Sequence, residues 1–178
     1  LGELADELWR VVDTIPASGR VLFAAHKSWP RPTDPVMSAW NALNCIREWR
    51  GDTHFGILLN DDIGVVEAGL LHDAWMGYPK EWIPRSRGAE DAEIAAALGN
   101  LESRGFVTDG VVNEAGVAYR QGLEDRTDVL CEIPWRAFGE VNTLKFLSII
   151  EPVGQVYVDR INQTAGDNWM PAARPRRR

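Results

Sequence analysis

The sequence predicts a mainly α-helical protein with one small two-stranded β-hairpin. Apolar residues recur at helical spacing in several segments. One Asp-Gly pair, Asp109-Gly110, stands between two short β-prone stretches, which is a signal for a tight hairpin. Hydrophobic residues make up 45% and charged residues 25% of the 178 residues. This balance excludes a wholly disordered chain. A chain of this length can bury one good core or two small ones.

Residues 1–75 are predicted to form an all-helical segment. Asp34 is a suitable N-cap and Pro35 suits the first helical position, so a helix is expected to begin there. Gly51 is expected to break that helix. The predicted helices are 3–14, 35–50, 53–60 and 63–75, with a short apolar segment over 21–25.

Residues 76–130 are predicted to form a second unit. An irregular stretch with a helical turn near Lys80 precedes a helix over 89–104, and Gly105 is expected to end that helix in the left-handed conformation. The hairpin follows, and Asn113 is the expected N-cap of a helix over 113–130.

The chain is predicted to end in two further helices, 134–149 and 151–162, and a basic tail. Residues 131–163 carry many apolar residues, which supply either the protein's own core or a dimerisation surface. Four of the last five residues are Arg, so 164–178 is expected to be a disordered basic tail. That tail could contact nucleic acid or be a solvated end. The rest of the chain is more acidic than the net charge of −7.

Composition also bears on location. No apolar run approaches the roughly 18 residues that span a bilayer, so no membrane partner is expected. The chain begins with Leu and shows no signal-peptide pattern, which suggests a fragment or a processed product. Cys45 and Cys131 form no CxxC pair and fit reduced thiols, so a cytoplasmic location is expected.

Two motifs around the hairpin carry a resemblance to a known family. The run LESRGFV at 101–107 resembles the LExRGLV stretch of MarR-like winged-helix proteins. The run VVNEAG at 111–116 is similar to that family's LT-x-x-G step from the wing into the next helix, where Gly116 would allow close packing. Further segments at 22–25, 47–54 and 123–128 resemble a poorly characterised actinobacterial group of helix-turn-helix proteins.

The resemblance implies that 76–130 is a winged-helix unit of a transcriptional regulator, with recognition helix 89–104 and wing 105–112. Such a helix lies in the major groove of double-stranded DNA. The helix here holds four acids and one base, and the wing lacks Arg and Lys, which disfavours DNA. The residues expected to face DNA are Lys80, Arg85, Arg87, Asn100, Ser103 and Arg104.

The resemblance also implies a homodimer, because MarR-like proteins commonly pair through their terminal helices. The apolar residues that could supply this interface lie between 138 and 157. Their alternative role is the core of the single chain.

A polar cluster at 50–54 offers the other candidate site. Asp52 could cap a helix starting near Thr53 and orient His54, with Arg50 beside them to hold an anion. The alternative is structural: Asp52 caps, Arg50 pairs with a nearby acid, and His54 packs at a joint. The residues expected to bind a small-molecule effector are Trp40, Arg50, Asp52, His54 and His72.

Three functions remain open. No HExxH, CxxC, GxSxG, GxGxxG or Walker pattern occurs, so neither a catalytic residue nor a metal or other cofactor is predicted. The first hypothesis is a MarR-like regulator that senses a small ligand. The second is a small-molecule-binding or catalytic protein on a winged-helix scaffold. The third is a protein-interaction module.

Overall fold

The computed structural model describes residues 1–164 except for the side chain of Asn162. Within these residues the fold is mainly α-helical, with one small antiparallel β-hairpin, which confirms the predicted fold class. The described chain divides into two compact units, 1–55 with 127–164 and 56–126. The predicted basic tail, beyond its first residue, lies outside the described residues.

Unit 1 is built around buried helix faces. After a 3₁₀ turn at Gly2–Leu4, its helices are α1 (Ala5–Thr14), α2 (Val21–Lys27), most of α3 (Pro35–Asn60), the end of α7 (Glu114–Phe138) and α8 (Glu140–Thr164). The core contains Leu8, Phe23, Trp49 and Phe138, each at most 1% exposed. The expected cap is present, since Asp34 Oδ1 accepts a hydrogen bond from Met37 N at 2.9 Å.

The predicted break at Gly51 is wrong, because α3 continues through it to Asn60. A glycine inside a helix costs only about 1 kcal/mol relative to alanine. The buried residues on either side, Trp49 and Thr53, hold this stretch in the helix, and Thr53 Oγ1 donates to Trp49 O at 2.8 Å. The short apolar segment at 21–25 is part of helix α2.

Unit 2 holds α4 (Val65–Met76), α5 (Trp82–Ser86), α6 (Asp91–Ser103) and the strands β1 (Val107–Thr108) and β2 (Val111–Val112). The register pairs Val107 with Val112 and Thr108 with Val111. Its core is formed by Leu70, Leu71, Ile94, Leu101 and Leu123 with their neighbours.

The hairpin turn has the predicted chemistry. Asp109 and Gly110 both have positive φ, 51° and 72°. A two-residue type I′ turn requires this conformation at both central positions. Gly105 ends α6 with φ 78°, and Phe106 N donates to Leu101 O at 2.9 Å. Asn113 Oδ1 accepts from Gly116 N at 3.0 Å, so the predicted cap of α7 is confirmed.

Gly116 allows α7 to lie against the hairpin. A Cβ at this position would meet Phe106 O at 2.5 Å and Val112 Cγ1 at 2.7 Å, closer than real Cβ atoms approach. The close packing expected of this glycine is therefore confirmed.

The last two helices have other boundaries than predicted. Residues 113–130 and 134–149 were expected to be separate helices, yet α7 runs through buried Pro134 to Phe138. The chain turns at Gly139, where φ is 86°. Helix α8 likewise continues through Pro152 instead of restarting at 151. None of the helices within 1–164 combines the length and the apolar character that a membrane span requires.

Candidate nucleic-acid interface

Three helices and the hairpin form the frame of the candidate interface in unit 2. Helix α4 packs against both α5 and α6, and α6 packs against β1. Gly69 brings α4 close to α5, because a Cβ there would lie 3.0 Å from Pro84 Cγ. The order of α4, the short α5, α6 and the hairpin is that of a helix-turn-helix followed by a wing.

Helix α6 has a buried face and an exposed face. Ile94, Ala97 and Leu101 are at most 5% exposed and belong to the core of unit 2. The opposite face is small and acidic, so it offers close approach but little attraction for phosphate. It presents Asp91, Ala92, Glu93, Ala95, Ala96, Gly99 and Glu102.

The three residues in or next to α6 that were expected to read bases make contacts within unit 2. Asn100 Nδ2 donates to Glu67 Oε1 at 3.0 Å, and Ser103 Oγ donates to Asn100 O at 2.7 Å. Arg104 Nη1 donates to Asp61 O at 3.0 Å, and its guanidinium lies 5.4 Å from the Phe106 ring centroid. For Asn100 or Arg104 to contact a base, its hydrogen bond to Glu67 or Asp61 would have to break.

The three cations expected to contact phosphates lie at or near α5. Arg85 is paired with Glu81 at 2.6 Å and with Asp91 at 2.8 Å, and Lys80 lies 3.6 Å from Glu81. In the described part of the chain, the exposed Arg87 guanidinium forms no ion pair or hydrogen bond. Arg87 is therefore the best placed of the three to contact a phosphate.

A cluster centred on Asp61 ties the end of α3 to α7 within unit 2. Arg126 donates to both Asp61 oxygens, at 2.6 and 2.9 Å, and Tyr119 Oη donates to Oδ2 at 2.8 Å. The Arg126 hydrogen bond holds the pKa of Asp61 well below its usual range. Burial and the bond to Asp61 raise the pKa of Tyr119 to about 12.

Sequence reasoning missed this cluster. Asp61 and Arg126 are 65 positions apart. Arg126 lies in the 123–128 segment that carries a family resemblance, but that resemblance assigns it no partner. The Asp61-Asp62 pair directly follows the end of α3, and nothing in the sequence identifies the distant partner of Asp61.

Four of the predicted ligand residues lie in unit 1. Asp52 accepts hydrogen bonds from Phe23 N at 2.8 Å and Leu22 N at 3.3 Å. It therefore caps α2 and not a helix near Thr53. The prediction that Asp52 caps a helix starting near Thr53 is wrong, because α3 is continuous through this position.

Arg50 and His54 lie one helical turn apart on α3, and each contacts one of two adjacent residues of α7. Arg50 Nη2 lies 3.5 Å from Asp128 Oδ1, and His54 Nδ1 is hydrogen-bonded to buried Thr127 Oγ1 at 2.9 Å. Trp40 is 51% exposed. In the structural alternative for the 50–54 cluster, Arg50 pairs with an acid, and Asp128 is one such partner.

His72, the fifth predicted ligand residue, lies in unit 2. Arg120 Nη2 donates to His72 Nδ1 at 3.0 Å and to Glu124 Oε1 at 2.5 Å. Arg120 is 5% exposed, its guanidinium lies 4.8 Å from the Trp75 ring centroid, and its Nη1 has no hydrogen-bond partner. His72 thus belongs to a polar cluster around buried Arg120.

Asp73 is a buried acid of α4. Its exposure is 3%, and Ile83 N donates to Oδ2 at 3.0 Å. Burial raises its pKa to about 6, because desolvation disfavours the charged form.

Within 1–164 no group of three or more His, Cys, Asp or Glu residues could hold a metal ion.

Comparison with known proteins adds one finding. A family model described as a helix-turn-helix family matches residues 1–164. The match covers both units and includes α4, α5, α6 and the hairpin. No curated protein and no solved structure matches the chain.

Proposed function

The chain belongs to this helix-turn-helix family, and on that premise we propose that it is a DNA-binding transcriptional regulator of the MarR-like winged-helix kind. The observation that carries the proposal is the array of α4, α5 and α6 followed by a two-stranded wing. Its third helix keeps one face in the core and the other open. Such a helix can enter the major groove of DNA.

The exposed face of α6 suggests how contact would be made. Ala95 and Ala96 are small enough to touch thymine methyl groups, and Gly99 leaves room for the DNA backbone. Arg87 would neutralise a phosphate. The nearby acids Glu93 and Glu102 oppose this attraction, so binding is expected to be weak at physiological salt.

Fluorescence anisotropy on mixed-sequence duplex DNA tests the proposal. The intact chain and a variant lacking 171–178 are compared at about 50 and about 200 mM salt. Binding that survives the deletion and falls steeply with salt supports DNA contact by the winged helix. Absence of binding, or its loss with the tail, contradicts the proposal.

Two variant pairs locate the contact. Arg87→Gln is expected to weaken binding to all sequences and to reduce the salt slope by about one. Arg136→Gln removes an exposed arginine from unit 1 and is the matched control.

For the groove-facing surface, Ala96→Glu adds an acid to the exposed face of α6 and is expected to abolish binding at about 50 mM salt. Ala118→Glu adds the same acid to an exposed position of α7 in unit 2. Equal effects within either pair would contradict the proposed orientation.

We further propose that the regulator is a homodimer. From 151 onward, no residue of α8 whose side chain is described is buried. Ile150, Val153, Tyr157 and Ile161 nevertheless recur at helical spacing and form one face, the α8 stripe. Tyr157 is 66% and Val153 is 44% exposed. A helix half in which no described side chain is fully buried is marginal in water, and a second α8 stripe would supply further contact.

Light scattering after size-exclusion chromatography tests this state. The chain is expected to elute as a dimer, and the double variant Tyr157→Glu/Ile161→Glu as a monomer. Val141→Glu, at an 81% exposed position off the stripe, is the control and is expected to remain dimeric. A monomeric parent chain would contradict the proposal.

We include in the proposal the sensing of a small effector and a cytoplasmic location, where DNA would be accessible. The acidic outer face of α6 favours a second candidate, a protein-interaction module on a winged-helix scaffold. The two differ in the anisotropy experiment, because only the regulator binds duplex DNA through unit 2.

A further inference from the structure

A cavity of about 170 Å³ opens beside the wing in unit 2. Asp73, Tyr78, Lys80 and Glu81 contribute to its lining. Its apolar walls come from α4, α6 and the hairpin. They are Leu70, Ala74, Leu98, Val111 and Val112.

Asp73 is an unusual lining residue because it is buried without an ion pair. It is 3% exposed, and Ile83 N donates to Oδ2 at 3.0 Å and to Oδ1 at 3.3 Å. The charge of Arg87 acts on it from a distance, but no Lys, Arg or His within 1–164 forms an ion pair with it. Buried acids in folded proteins are normally paired with a cation or a metal ion.

The carboxylate retains capacity for another donor. An ionised carboxyl group offers about four acceptor positions, and backbone N–H groups at the start of α5 occupy only part of them. Because Asp73 lines a cavity whose other walls are largely apolar, this space favours an apolar molecule with one charged donor group.

We propose that this cavity binds a small monocation, an ammonium group on a compact apolar body, with Asp73 as its counter-ion. The volume of about 170 Å³ is smaller than that of typical pockets for drug-sized ligands, so the ligand is smaller than those. The Leu70, Leu98 and Val111 side chains contact its apolar body.

The position of the cavity links the ligand to the wing. Gly110, Val111 and Val112 line it, so an occupant touches the hairpin directly. The inference thus deepens the effector sensing proposed above, and it rests on the proposed function only for an effect on DNA. Binding of the cation itself does not depend on that function.

Isothermal titration calorimetry on the full chain at pH 7.5 tests the site. The probes are benzylamine and isobutylamine, with benzyl alcohol and benzoate as neutral and anionic analogues. At least one amine is expected to bind about tenfold or more tightly than benzyl alcohol, and benzoate is expected not to bind. Failure of both amines to bind would overturn the proposal.

Variants separate this site from adventitious binding. Asp73→Asn keeps the size and an acceptor for Ile83 N, and it is expected to lose about tenfold or more in amine affinity. Ala74→Leu fills the cavity and should abolish binding. Asp109→Asn removes an acid from the hairpin turn outside the lining and should leave the affinity unchanged. Equal affinities for Asp73→Asn and the parent chain would overturn the proposal.

DNA anisotropy with and without the bound amine separates the two proposals. Amine binding without DNA binding supports the cavity and contradicts the regulator. DNA binding without amine binding contradicts the cavity alone.

Discussion

The two compact units bury different kinds of polar groups. In unit 1 the buried polar residues of the described chain are two hydroxyl residues, Thr53 and Thr127. In unit 2 they are three ionisable residues, Glu67, Asp73 and Arg120. Unit 1 is also rich in buried apolar surface, with Trp49 and Phe23 fully buried.

This difference suggests a division of roles. Buried hydroxyls that bond to nearby groups cost little, so unit 1 resembles a scaffold core. Buried ionisable groups are costly to desolvate and rarely add net stability. Their concentration in the unit with the wing is the pattern expected where function, rather than stability, selects residues.

The largest expected effect is the loss of Trp49 from unit 1. Trp49→Ala removes a fully buried ring, the bond from Nε1 to Pro16 O at 2.9 Å, and the stacking of Arg20, whose Cζ lies 3.9 Å from the ring centroid. The free energy of unfolding is expected to fall by about 3–5 kcal/mol in urea denaturation.

Trp29→Ala is the matched control, because Trp29 is 54% exposed. Its truncation should cost less than about 1 kcal/mol. Hydrogen exchange should place the Trp49 effect in unit 1. Equal loss of protection in unit 2 would show that both units unfold together and would contradict separate roles for them.

The fold was predictable where local chemistry decides it. Asp109-Gly110, Asn113 and the motif around Gly105 each act through neighbouring backbone, so the hairpin and its flanking caps follow from the sequence. The continuity of α3 and α7 was not predictable from the sequence. Gly51 and Pro134 lie inside these helices, which the burial of neighbouring side chains maintains. Propensity is a weak signal against that burial.

The next largest loss of stability is expected for a substitution at Gly116 in unit 2. Gly116→Ala would place a Cβ 2.5 Å from Phe106 O, a backbone atom that cannot move aside cheaply. The free energy of unfolding is expected to fall by about 2–3 kcal/mol.

Gly122→Ala is the control on the same helix, because a Cβ there meets nothing within 4 Å. It should be neutral or stabilising by up to about 1 kcal/mol. Thermal unfolding of the two variants measures the contrast, and similar shifts would show that α7 does not depend on the close approach.

The candidate site was less predictable than the fold, because its residues meet through tertiary structure. The resemblance around 101–116 indicated which helix has an open face. It did not show that Arg104 would bond to Asp61 O or that Asn100 would bond to Glu67. Asp73 carried no motif, and its importance depends on burial that only the packed structure reveals.

A substitution at Asp61 is expected to lower the free energy of unfolding by a smaller amount, and this loss depends on pH. Asp61→Asn removes the charge that accepts both Arg126 bonds. The free energy of unfolding at neutral pH is expected to fall by about 2 kcal/mol, the scale of hydrogen bonds to a charged group. The folded pKa lies below the unfolded value near 4, so this stability is present above about pH 4 and is lost as pH falls.

Asp128→Asn is the control from unit 1. Its partner Arg50 lies 3.5 Å away, and both side chains are solvent-exposed. The loss should therefore stay below about 1 kcal/mol. Urea denaturation at pH 7 and pH 3 measures both variants. A loss for Asp61→Asn that is the same at both values would show that its charge is not the cause.

The smallest expected change is at Asp73, where the substitution raises the free energy of unfolding instead of lowering it. Burial raises its pKa to about 6 in the folded protein, above the unfolded value near 4. Its contribution to stability is therefore fully present below about pH 4, declines as pH rises to about 6, and stays low above that. Asp73→Asn cannot ionise and can still accept from Ile83 N. Its free energy of unfolding should therefore exceed that of the parent chain by about 1–2 kcal/mol at pH 7.5 and match it near pH 4.

Urea denaturation between pH 4 and pH 7.5 measures the difference between Asp73→Asn and the parent chain. A gain in stability together with a loss of amine affinity would show that unit 2 retains this acid for binding, whereas a destabilised variant at pH 7.5 would mean that the carboxylate stabilises the start of α5.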